Sequence, residues 1–480
     1  MESLKERTAR GLMWGVVNNG STQVLNLLIG ICLGRLLTPA DYGIVGVLTI
    51  FTALAGALQS SGFTQGLINM RQPTSNDYNA VFWFNVSMSL VLYALLFACA
   101  PLIALFFHQP CLTAVSRLVF LTLPLSAVGI ASGGYMLKNM MNRQIAIAGV
   151  VALTASGAVG ITLALTGHSY WSLAWQQLVY IGVLNACRFY YVSWRPSLSI
   201  DMSPVRRMMS FCMRLLLTNI INILNQNVLT FVFGRLFPIS AVGNYSQANK
   251  WNAMAHSTIS GAVGQIAQPV LVSVADQQER EVRVFRKLMR FTAFLSFPAM
   301  LGLALVAREL IVLTIGPQWL GCVPLLQTLC VAGAFMPFYT LYQNLTISAG
   351  RSDIYLWLNV AQVALGLAII LLLHSHGIGT IVAAYTAFTM VWLLAWQIAA
   401  RRLVDVRLAA VLADTVPFML TAVAVMAATY YATLAITSAA LLLSVRILMA
   451  AALYAAVMHL SGATVMKESV DFLLHRNHNS

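Results

Sequence analysis

Charge is scarce in this chain. Only 9% of its 480 residues are Asp, Glu, Lys or Arg, against about 25% in an ordinary soluble domain. Acids are the scarcer half, 14 against 28 bases, which leaves a net charge of +14. Together with 59% hydrophobic residues, that shortage excludes a soluble enzyme. Cysteine offers no metal chemistry either. The seven, Cys32, Cys99, Cys111, Cys187, Cys212, Cys322 and Cys330, form no CxxC pair and no Cys/His cluster at zinc spacing. No GxSxG, Walker or HExxH motif appears, and the polar loops are too short to hold an ATP-binding domain. No metal and no cofactor are implied, and a coupling ion, H+ or Na+, is left open.

What the chain has in excess is apolar length. A membrane span needs about 20 mainly apolar residues, and stretches of that length recur at 11–34, 43–69, 80–106, 114–137, 145–166, 170–191, 209–234, 244–274, 291–314, 323–348, 355–376, 378–400, 416–437 and 438–461. The expectation is an all-α polytopic membrane protein of about fourteen transmembrane helices. The first apolar stretch runs past Leu28 without a small-residue cleavage site, so it reads as a retained helix.

The bases test this partition, because cytoplasmic loops collect Lys and Arg. All but Arg35, Arg117, Arg235, Lys250, Arg308 and Arg446 fall on one side of the alternation. Both termini are therefore expected in the cytoplasm. The positive balance is explained by topology and anionic lipid, so nucleic acid is not a partner.

An internal repeat divides the chain. LGRLLTPADYGIVG at 33–46 returns as FGRLFPISAVGNYS at 233–246, with Gly34/Gly234, Arg35/Arg235 and Gly43/Gly243 in register and Asn19/Asn219 upstream. A second echo joins GAVGITLALTGHSYWSLAW to VALGLAIILLLHSHGIGTIVAAY. Two homologous six-helix lobes plus two C-terminal helices follow: 1–194, a cytoplasmic inter-lobe loop at 195–208, a second lobe at 209–400, and 401–480 with the extra helices and a tail. Both copies begin on the same side, so the repeat is parallel and a substrate is expected between the lobes.

At GLMWGVVNN, LGRLLTPADYGIVGVLTIFTALAGALQSSGFTQGLI, FWFNV and GPQWLGCVPLLQTLCVAGAF, the sequence resembles Wzx-type polysaccharide flippases of the multidrug/oligosaccharidyl-lipid/polysaccharide exporter superfamily. The order of motifs is most similar to the colanic-acid and teichuronic-acid exporters. The resemblance implies movement of an undecaprenyl-pyrophosphate-linked oligosaccharide from the cytoplasmic to the periplasmic leaflet of the bacterial inner membrane by alternating access. It implies membrane lipids as partners, and a polysaccharide polymerase or assembly complex as a further one. Two other classes stay open: an ion-coupled small-molecule exporter and a non-transporting scaffold.

Residues for such a task are few. Asn19 in the first span and Asn219 and Asn225 in the seventh are costly in lipid, so they face an interior. They either bind sugar hydroxyls or join helices, at about 0.6 kcal/mol per bond. A pyrophosphate needs fixed positive charge, and Lys250 is the candidate within a span; snorkelling to the interface is its alternative. Arg35 and Arg235 stand at outer helix ends, suited to substrate or to turn stabilisation. Arg308 is free for substrate unless it pairs with Glu309 beside it. Arg214 sits at the inner mouth, as pyrophosphate ligand or topological anchor. His256 is the lone mid-span histidine, hence the candidate for proton coupling or a bonded bundle residue. Arg446 lies inside the last span and attends either a lipid headgroup or backbone carbonyls. Glu309 is the sole acid in the spans away from their cytoplasmic ends, which disfavours a cation-coupled drug exporter. Two negative charges moving outward would gain about 4.6 kcal/mol from a 100 mV potential, at about 2.3 each.

Overall fold

The computed structural model describes residues 4–60, 62–198, 201–275 and 277–461, and the side chains of all of these except 4–13, 15–19, 211, 214, 215 and 218. Every regular element among them is helical. They fall into two compact units, Met1–Gly243 and Asn244–Ser480.

The first unit holds α1 (Leu4–Leu36), α2 (Pro39–Gly46), α3 (Thr49–Ser60), α4 (Phe63–Asn69), α5 (Ser75–Phe106), α6 (Leu112–Phe120), α7 (Thr122–Val128), α8 (Ile130–Lys138), α9 (Asn142–Leu165), α10 (Trp171–Tyr191) and α11 (Ser203–Leu236). Threonine starts two of them. The Thr38 hydroxyl accepts from the Asp41 N–H at 3.4 Å, and the Asp41 carboxylate accepts from the Thr38 N–H at 2.9 Å. This capping box opens α2 with a proline in its first turn. Thr74 and Asp77 repeat the device at α5. The span expected at 114–137 is broken: the α6–α7 stretch and α8 meet at 43°, at Gly129. α11, which the repeat assigns to the second lobe, packs on α3, α4 and α5 of this unit.

The repeat has a direct structural consequence. α12 (Ile239–Val274) begins beside α2. A Cβ on Gly43 would lie 2.0 Å from the Ile239 carbonyl oxygen, and one on Gly243 would lie 1.7 Å from that of Pro39. Residues 43 and 243, and likewise 39 and 239, are equivalent by the repeat. The contact is therefore reciprocal, as across a two-fold axis.

The second unit continues with α13 (Gln278–Thr314), α14 (Cys322–Ser348), α15 (Ser352–Leu372), α16 (Ile378–Val404), α17 (Leu408–Ala432) and α18 (Ala439–Leu460). Its interior combines aromatic packing with satisfied polar pairs. The Phe297 ring centroid lies 5.4 Å from that of Phe335. Arg286 forks onto Asp414 through Nε at 2.6 Å and Nη2 at 3.2 Å. The Tyr342 hydroxyl donates to Gln397 at 2.7 Å, and Gln397 donates on to the Val406 carbonyl at 2.8 Å.

The exterior is apolar: Val91, Leu102 and Leu105 on α5 and Leu441 and Leu448 on α18 are exposed. Hydrocarbon accepts such a coat and water does not. Nine helices among the described residues are long and apolar enough to cross a membrane, ten if the bent stretch Leu112–Lys138 counts as one span. The chain is a multi-pass helical membrane protein. α12 is not among the nine, although it is 36 residues long, and its polarity leads to the candidate site.

Candidate translocation site

At about 100° per residue, α12 has two unlike sides. Tyr245, Ala248, Asn252, Ile259 and Val263 form the buried stripe, each under 10% exposed. The opposite side carries Ser246, Gln247, Lys250, Ala253, Met254, Ser257, Gly261, Gly264, Gln265 and Gln268, all within about 60° of the Lys250 direction. Between Ser246 and Gln268 no Leu, Ile or Val interrupts it. Lys250, Ser257, Gly261, Gln265 and Gln268 on this side are exposed, while Gln247 is buried. A side so polar over so many turns cannot face hydrocarbon; it requires water or a polar ligand.

The buried stripe is polar in one place. Asn252 is 4% exposed and its Oδ1 lacks a hydrogen-bond partner among the described residues. One turn on, His256 is half-buried with its Nδ1 likewise unpartnered. α14 makes room for Asn252 with a glycine: a Cβ on Gly333 would meet Asn252 Oδ1 at 2.3 Å. Lys250 and His256 point about 120° apart on the helix and do not line a common surface.

The other expected residues divide. The side chains of Asn19 and Arg214 lie outside the described residues. Asn219 is exposed and Asn225 half-buried on α11. Arg35 is exposed at the end of α1. Arg235 donates from Nη1 to a ring nitrogen of His108, and its guanidinium stands 5.3 Å from the Phe106 ring centroid; this local clasp ties the end of α11 to the end of α5. Arg308 is exposed, and its neighbour Glu309 turns inward to Arg446, with Oε2 3.1 Å from Nη1. Arg446 also donates to the Thr433 hydroxyl at 3.2 Å and the Leu305 carbonyl at 3.3 Å, and lies 5.2 Å from the Tyr430 ring centroid. Its buried network leaves the local pair Arg308–Glu309 unmade.

Two features escaped the sequence reading. Gln247, Ser257, Gln265 and Gln268 were visible only as a polar segment, and plotting α12 at helical period is the signal that aligns them with Lys250. Arg188, which the charge pattern counts as one more cytoplasmic base, is half-buried beside a cavity. Outside the spans, Asp201 accepts from the Ser203 N–H at 2.9 Å and from Asn76 at 2.8 Å. These bonds, the backbone one foremost, hold its carboxyl below the usual range.

Comparison with known proteins agrees with this architecture. Over 365 residues, 75% of this chain and 73% of the relative, the sequence is 25% identical to the lipopolysaccharide biosynthesis protein WzxC of Escherichia coli (strain K12). It is 23% identical to the succinoglycan biosynthesis transport protein ExoT of Rhizobium meliloti (strain 1021), covering 72% and 70% of the two chains. Among solved structures, the lipid II flippase MurJ in an inward closed conformation superposes with a TM-score of 0.73 at 11% identity, over 92% of this chain and 97% of that one. At that identity the likeness concerns the fold alone. The profile of the family described as polysaccharide biosynthesis protein matches residues 32–324, more than half of the sequence, and the chain belongs to that family.

Proposed function

We propose that the protein moves a lipid-linked oligosaccharide, built on undecaprenyl pyrophosphate, from the cytoplasmic to the periplasmic leaflet of the bacterial inner membrane. The observation that carries this reading is the polar side of α12. Its serines, glutamines and glycines suit sugar hydroxyls, and Lys250 supplies the charge for the pyrophosphate. Small residues at Ala253 and Gly261, the latter with nothing within 4 Å of a Cβ, leave space for a bulky headgroup. Family membership and the flippase fold support the substrate class. Access to this surface would alternate between the two leaflets, and the membrane potential would give direction. A cation-coupled drug exporter fits less well. Glu309, the acid such a mechanism would titrate, is already engaged by Arg446.

Lys250→Ala is expected to abolish surface polysaccharide with membrane abundance unchanged. A charge-assisted bond to phosphate is worth about 1.5–3 kcal/mol, or about 10- to 150-fold in affinity. Lys250→Arg keeps the charge and retains part of the activity. Wild-type glycan in Lys250→Ala removes the substrate role. Orientation has its own check: reporter fusions after Asn76, Asp201, Val284 and Arg407 are expected to read cytoplasm, and those after Gln109, His168 and Gln318 periplasm. A periplasmic signal at Asp201 or Val284 overturns the topology.

A further inference from the structure

A second cation stands apart from α12. Arg188, on the last turns of α10, borders a cavity of about 300 Å³ inside the first unit. The bend at Gly129 creates the setting. Gly129 and Gly133, one turn apart, present bare backbone to the guanidinium: a Cβ on Gly133 would sit 3.4 Å from Arg188 Cζ, and one on Gly129 would sit 3.0 Å from Nη1. Arg188 makes one described hydrogen bond, from Nη1 to the Gly129 carbonyl at 3.2 Å. Five N–H donors are available on a guanidinium, and no carboxylate pairs with this one among the described residues. The neighbouring cation Lys138 is spent on the carbonyls of Ile68, at 2.8 Å, and Met70.

The rest of the wall is of another character. Ile130, Met136, Leu137, Ile145 and Leu184 give it hydrocarbon, and Thr64 is the one hydroxyl-bearing residue of the lining. The space is about ten times the share of one water in the liquid, about 30 Å³, and at the lower bound of small-ligand sites. A charged fork with spare donors beside an apolar wall matches an amphipathic anion. Its place in the unit narrows the class. Lys138 ends α8, Arg143 stands in the first turn of α9, and Arg195 follows the end of α10, so these bases share one end of the spans. By the positive-inside rule that end lies at the cytoplasmic leaflet, where the abundant anions on hydrocarbon chains are lipid phosphates.

We infer that Arg188 and the cavity over Gly129 and Gly133 bind the phosphate ester of a lipid from the cytoplasmic leaflet. The source is either the polyprenyl carrier, caught before it reaches α12, or an anionic phospholipid held as a fixed partner. The carrier arm rests on the transport reading above; the site itself does not.

The test is thermal unfolding of the full-length protein in detergent, titrated separately with undecaprenyl phosphate, phosphatidylglycerol and inorganic pyrophosphate. Each variant is compared with itself without ligand, so a weaker fold does not imitate weaker binding. Wild type is expected to be stabilised by a phosphate lipid, with affinity falling about tenfold or more in Arg188→Gln and less in Arg188→Lys. Stabilisation by undecaprenyl phosphate alone identifies the carrier, and equal stabilisation by phosphatidylglycerol identifies a bulk lipid. Equal affinities in wild type and Arg188→Gln for every probe overturn the site. If Arg188→Gln does not fold, Ala148→Leu fills the cavity with the arginine intact, and unchanged affinity there overturns it equally. Loss of export in Lys250→Ala beside unaltered lipid binding in Arg188→Gln would defeat this inference and leave the transport reading standing.

Discussion

Glu309→Ala is expected to destabilise the protein by about 3–5 kcal/mol, the cost of leaving one partner of a buried ion pair unmatched. Arg446 and Glu309 have side chains 7% and 9% exposed, so neither charge can be served by bulk water. The two residues come from α13 and α18, and the Leu305 carbonyl and Thr433 hydroxyl complete the network. Arg446→Gln should lose somewhat less, since its amide can still donate to one of those oxygens. The informative variant is the double replacement Glu309→Leu with Arg446→Met. With both charges gone the desolvation penalty disappears, and stability should return to within about 1–2 kcal/mol of wild type. Differential scanning fluorimetry in detergent reads all three. A double variant as weak as the single ones would show that the pair does more than satisfy itself. Export per folded molecule should survive in the double variant, because Arg446 makes its contacts inside the second unit and not on the polar side of α12.

How much of this was open to a reader of the sequence depends on the range of the interaction. Spans were legible because the bilayer imposes a length and an apolarity on each one separately. The bend at Gly129 was not. It coincides with a contact between residues far apart in sequence: Asn185 and Arg188 from α10 lie against bare glycine backbone, where a Cβ on Gly129 would be 1.8 Å from Asn185 Oδ1. Lys250 was legible as a charge within a span. That its side of the helix stays polar through Gln268 follows from the sequence as well, once it is plotted at helical period. The partner of Glu309 was not legible. Adjacent residues on a helix point about 100° apart, so Arg308 was the obvious neighbour in the chain and the wrong one in space. Arg188 was hidden for a different reason. A base near a span end satisfies the topology rule whatever it touches, so charge counting has no means of separating an anchor from a ligand-binding residue.

Gly43→Ala and Gly243→Ala are expected to be severe and to be alike. The sequence offers the two glycines as one of several matches between copies of a motif, and the structure explains why they match. Each packs against the carbonyl of the first helical residue in the other copy, Gly43 on Ile239 and Gly243 on Pro39. At 2.0 and 1.7 Å a methyl carbon has no position to occupy, and the opposing atom is a carbonyl oxygen that no rotamer change can remove. The helix starts would have to separate by about 1 Å, disturbing Thr38, Asp41 and the capping box between them. Overpacking costs typically about 1–3 kcal/mol in cores that can yield; against backbone on both sides the loss should reach or exceed that upper figure. Gly56→Ala is the control, because nothing lies within 4 Å of a Cβ there and alanine favours helix by about 1 kcal/mol. Melting temperatures that fall together in the first two variants and hold or rise in the third would establish the reciprocal contact. A mild Gly243→Ala beside a severe Gly43→Ala would break the two-fold relation, and with it the argument that the two copies of the motif fold as equivalents.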